Sequence, residues 1–164
     1  MAFDRAAIYA QLLTQIQAKI NTTSTPALAQ PVSRRARDLS QIGPDEQPAC
    51  FLVAGDEEIQ QEKGSAPKRA MHAHVLIYVR TDDPAQSPAD ILFPLIKLVE
   101  QSLAWQVGDG QTYLYGSLTT LQGLVQHCRL ISVEINAGIP SGEGTALLTL
   151  DILAVGGVTG APGA

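Results

Sequence analysis

His72 and His74 are the residues best placed to do chemistry. At positions i and i+2 of an alternating segment they fall on one strand face, about 7 Å apart by strand rise, a spacing at which two imidazoles share a metal once a third ligand arrives. His127 is the one other histidine in the chain. No cysteine or carboxylate motif completes a ligand set around them, and the plain reading is two polar residues on the wetter face of a sheet. Cys50 and Cys128 each sit in apolar, strand-like surroundings, where reduced cysteines behave as small buried hydrophobes rather than as a disulfide.

Other patterns with chemical meaning are weaker. Gly108-Asp109-Gly110 contains the first glycine pair of a dinucleotide fingerprint, but it follows a helical pattern and opens no helix, so it reads as a turn. The sequence holds no Gly-x-Ser-x-Gly elbow, no phosphate-binding glycine loop and no His-Glu-x-x-His helix. Catalysis, a cofactor and a resident metal are therefore not expected. Asn21-Thr22-Thr23 fits a glycosylation sequon, which has meaning only in a secreted chain.

Charge is distributed unevenly. Arg34, Arg35 and Arg37 are three of eleven basic residues within four positions, followed later by the acidic run Asp56-Glu57-Glu58 and then by Lys63, Lys68 and Arg69. The arginines read either as a solvated edge whose charge blocks aggregation or as a cationic arm that meets Asp56, Glu57 and Glu58 of another subunit. Together these nine residues form the candidate interface. A net charge of -5 argues against affinity for a phosphate backbone, which is bound by displacing counterions with Lys and Arg.

Elements that could position these groups follow from periodicity. Ile8, Leu12, Ile16 and Ile20 recur every four residues from Phe3 to Ile20, an amphipathic helix with Asp4 as N-cap. Asn21 to Pro31 is a loop, Val32 to Ile42 an extended arm or at most an edge strand, and Ala49 to Ala54 a buried strand. Asp56 to Arg69 reads as a long polar hairpin loop, mobile until it meets a neighbour. Met71 to Arg80 alternates strictly, with Met71, Ala73, Val75, Ile77 and Val79 on the core face. Ser87-Pro88-Ala89-Asp90 starts a second helix, which runs to Leu103 and carries Pro94 inside it. The stretch from Gly108 to Gly123 is irregular, and Leu130 to Ala137 and Ala146 to Val155 pair antiparallel.

At 164 residues, 45% hydrophobic and 16% charged, the chain is composed for a folded core. We expect one α+β domain over residues 1–155, a mostly antiparallel sheet with helices on one face, and a glycine-rich tail over 156–164. No apolar run approaches the ~20 residues of a membrane span and no leader is evident, which points to a protein made and used in a cytoplasm.

The order of these elements, and in particular the strand Pro48 to Val53, the strand Met71 to Val79 and the segment Leu121 to Leu130, resembles the tail terminator family of long-tailed phages over nearly the whole chain. That resemblance implies an antiparallel sheet flanked by helices and a hexameric ring seated on the last ring of the tail tube. Such a ring ends tube growth and presents a surface for the head. Its partners would be further copies of itself, the tail tube protein and a neck or head-completion protein, at the head-proximal end of the virion tail, with no catalytic site. A sixfold ring of this chain would carry about -30, so that DNA leaving through its lumen would slide without sticking. A neck or tail-completion protein is the nearest alternative. A small metal-dependent enzyme using His72, His74 and His127 is the distant one, and stoichiometric bound metal would favour it.

Overall fold

In a computed structural model of the chain, the described residues are 3–23, 28, 30–61, 63–103, 106–107, 113–114, 120–138 and 142–156. They form an α+β fold in which helix α1 (Arg5–Thr23) leads through an extended arm to β1 (Ala49–Gln60) and β2 (Lys68–Arg80). Helix α2 (Pro88–Ser102) follows, then the short pair β3 (Gln106–Val107) and β4 (Tyr113–Leu114), and finally β5 (His127–Asn136) and β6 (Glu143–Val155). Four strands make one sheet in the order β1-β2-β6-β5, antiparallel throughout. The last two strands pair as their alternation predicts, with β5 beginning three residues earlier than its apolar pattern suggested.

Both helices start where the sequence places their caps. Asp4 Oδ1 accepts hydrogen bonds from the backbone N–H groups of Ala6 and Ala7, satisfying donors that the first helical turn leaves open. Ser87 Oγ does the same for the N–H of Ala89, and Pro88 follows it at a position where the missing donor costs nothing. Asp90 lies in the first turn, near the positive end of the helix dipole.

The core lies between one sheet face and the helices. Met71, Ala73, Val75, Ile77 and Val79 of β2, and Ala146, Leu148, Leu150, Ile152 and Ala154 of β6, turn toward Leu12, Ile16, Ile20, Leu92, Leu95 and Val99, and all are buried. Gly144 lets α2 sit down on β6, since a Cβ there would lie 2.7 Å from Pro88 Cβ and 3.3 Å from Leu92 Cδ1. Cys50 and Cys128 are buried free thiols, and burial pushes each up to about 12.

Two departures from regularity matter below. The β1–β2 ladder shifts between Ala54 and Glu57, and the β5–β6 ladder shifts between Leu130 and Ser132, leaving Ile131 as an extra residue in the edge strand. Leu121, Gln122 and Gly123 occupy successive left-handed conformations in the turn before β5, with the Leu121 side chain fully buried.

Only half of the segment from Asp56 to Arg69 is a loop. Asp56 to Gln60 continues β1, and Lys68 and Arg69 begin β2, so the connection shrinks to residues 61–67. Most of the β1 residues in this half of the hairpin are exposed. Polar composition there reflects two wet faces rather than a missing ladder. The turn expected at Gly108-Asp109-Gly110 and the tail from residue 157 onward lie outside the described residues.

Candidate functional site

The functional surface is best built from the sheet's two outer strands and the helix-free face between them. Along β1 runs the arm. Ser33 makes one parallel bridge there, donating its N–H to Cys50 O at 3.2 Å and accepting from the Leu52 N–H at 2.8 Å. Beyond the bridge the chain turns over the helix-free face, where Ile42 packs with Ala49 and Phe51 against Val53, Leu76 and Tyr78. Between arm and strand lies a groove of about 690 Å³ lined by residues that include Arg35, Arg37, Gln41, Glu46 and Phe51.

The three arm arginines have different fates. Arg34 sits 5.0 Å from the centroid of the Tyr9 ring, a cation over an aromatic face. Arg37 bonds Glu46 at 3.0 Å, and that bond, with the Gly43 N–H, holds the Glu46 carboxyl below its usual range. Arg35 lines the groove, and among the described residues its guanidinium has no acidic partner.

Asp56, Glu57 and Glu58 do not meet the arm within the chain. Glu57 is held in a clamp that closes the N-terminus of α1 onto the hairpin. Arg5 grips it through two nitrogens, at 2.7 and 2.9 Å, and Arg69 adds a third bond at 2.7 Å. Phe3 lies against both guanidinium groups, at 4.9 and 4.5 Å. The Arg5 bond is the main reason that the Glu57 carboxyl is held below its ordinary range. Asp56 bonds His72 Nδ1 at 2.8 Å, which lowers its carboxyl in the same direction. Glu58, Lys63 and Lys68 are exposed on the hairpin.

All three histidines lie on the helix-free face. His72 meets Asp56, His74 Nδ1 lies 3.3 Å from Thr149 Oγ1, and His127 Nε2 lies 3.1 Å from Asp151 Oδ2, an oxygen that also accepts from Arg129 Nε at 3.0 Å. In register, His72 faces Asp151 and Asp151 faces Arg129, giving a charged row across the sheet. Two strand spacings separate His127 from the β2 histidines. Among the described residues no three His, Cys, Asp or Glu side chains are grouped to hold a metal ion, and no helix is long and apolar enough to cross a membrane.

The other edge went unmarked in the sequence. β5 has no strand on its outer side among the described residues, and every residue from Ile131 to Asn136 is exposed. Ile131, Val133 and Ile135 are 50%, 36% and 43% exposed, half of the large exposed apolar side chains among the described residues and all within five positions. Glu134 lies between them, its carboxylate without a partner among the described residues. Alternating apolar residues were visible beforehand, but not that no element among the described residues would cover them.

No family model matches the sequence, and no curated protein matches it. Among solved structures, a chain from the virion of a native gene transfer agent particle is similar at 14% identity, with a TM-score of 0.48 over 93% of each chain. At that score and identity the likeness carries no inference about function.

Proposed function

We propose that the protein is a structural subunit of a phage-type virion, a tail terminator whose copies close into a ring on the end of the tail tube. The observation that carries this reading is the bare β5 edge. Its outer backbone groups, which no strand among the described residues pairs, and its three exposed apolar side chains form a surface that is stabilised by covering, and an assembling subunit is the kind of protein that leaves such a surface open. The sequence resemblance to tail terminators supplies the ring and the tube. The candidate interface residues Arg34, Arg35, Arg37, Asp56, Glu57, Glu58, Lys63, Lys68 and Arg69 then divide into those already committed inside the subunit, such as Glu57 and Arg69, and those still available, such as Arg35 and Glu58.

In this reading the subunit performs no reaction. It works by stopping one: once the ring is closed, the tube has no free end to which another tube subunit can add, and the far side of the ring receives the neck. A negative ring also repels the phosphate backbone of DNA passing through it. Electron microscopy of tails assembled without this protein tests the proposal directly. Tubes of uncontrolled length are expected, and tubes of normal length that still join heads would overturn it. Crosslinking of complete tails should give a ladder ending at six copies, whereas a stable twofold dimer would contradict a ring.

A further inference from the structure

Joining the two edges of the sheet is a matter of charge and level. Register carries Glu134 on β5 across Leu147 and Leu76 to Phe51 on β1, so the bare stretch of β5 and the arm groove are opposite ends of the same rows. Asp56 and Glu58 belong to the other half of β1, level with the start of β5. A second copy moved sideways across the sheet, without sliding along the strands, therefore brings its bare β5 to the groove and not to the acidic half of the hairpin.

Electrostatics favours the same seat. Glu134 would meet Arg35, the groove arginine with no acidic partner among the described residues, whereas the far half of the hairpin would offer it Asp56 and Glu58, charges of its own sign. We propose that the β5 edge of one subunit docks in the groove between the arm and β1 of the next copy, with Glu134 facing Arg35. This rests on the ring reading and names its contact. Because the two surfaces differ and lie at opposite ends of the sheet, the contact is head-to-tail, the type that closes into a ring rather than stopping at a pair.

The experiment uses the full chain and disulfide trapping, since both native cysteines are buried. Mixing Arg35→Cys with Glu134→Cys under mild oxidation should give a covalent dimer of one copy of each, while either variant alone should stay uncrosslinked. Homodimers from Glu134→Cys alone would mean that β5 pairs with β5, and would overturn the proposal. In parallel, Glu134→Arg and Arg35→Glu should each raise the concentration needed for self-assembly by about fivefold or more, and combining them in one chain should restore it. Single variants that assemble like the parent would sink this contact and leave the ring standing. A parent chain that never assembles, alone or on tubes, would sink both.

Discussion

β1 and β5 are both outer strands of one sheet, yet the fold treats them differently. On β1, Ser33 occupies the backbone of Cys50 and Leu52, Ile42 covers Phe51, and Glu57 is gripped by two arginines. On β5, nothing among the described residues covers Ile131 to Asn136. One edge has its backbone partly capped by the chain's own arm, and the other has no such cap among the described residues. The difference shows that exposure of an edge is not a default of small sheets: the same chain spends a long arm on closing one of them.

Substitutions at matched positions should separate the two edges. Phe51→Ala removes a buried ring from beneath the arm and should cost about 3–5 kcal/mol in chemical denaturation. Its counterpart Ile135→Thr, on an exposed site, should change monomer stability by no more than about 0.5 kcal/mol while weakening assembly measured by light scattering. Equal destabilisation by the two would erase the contrast. Next in size, Ser87→Ala should cost about 1 kcal/mol by uncapping α2, which packs on the central strands β2 and β6 and so calibrates the other two.

Acid should open the capped edge first. Glu57, Asp56 and Glu46 all have carboxyl groups held below their ordinary values, so the stability they contribute is present above their unfolded values of 4.5, 3.8 and 4.5 and is lost as pH falls through the lower folded ones. All three lie on β1 or the arm. Hydrogen-exchange protection factors, corrected for the intrinsic rate at each pH, should therefore fall between pH 5 and pH 3 at the outer edge of β1 and around α1's first turn while the β2–β6 ladder stays protected. A uniform loss of protection across the sheet would contradict this. Gln122→Gly should act with the opposite sign: it removes a left-handed strain of about 1 kcal/mol at an exposed turn residue and should raise the thermal midpoint without touching either edge.

Much of the fold was readable because burial imposes a period. The four-residue spacing of Ile8, Leu12, Ile16 and Ile20, the strict alternation of Met71 to Val79 and the Ser87-Pro88 start each leave a pattern that only one element satisfies. Asp56 to Gln60 was unreadable for the opposite reason: both of its faces are wet, so no alternation marks it, and the ladder to β2 that holds it is a backbone property. The arm's arginines were singled out by density, but the clamp on Glu57 was not, because Arg5, Glu57 and Arg69 meet only after the hairpin and α1 are in place. Glu134 was missed altogether. A lone acid between apolar residues has no signature until topology makes its strand the last one.

The extra residue at Ile131 bears on what the exposed edge can accept. A straight, unpaired strand with alternating apolar residues would grow indefinitely by adding any extended peptide, and a pool of such chains would gel while waiting. The bulge between Leu130 and Ser132 bends the edge and breaks its ladder spacing, so a generic strand meets it out of step and can pair over only a few residues. The exposed edge is thereby narrowed in what it can pair with, and the selectivity comes from one added residue.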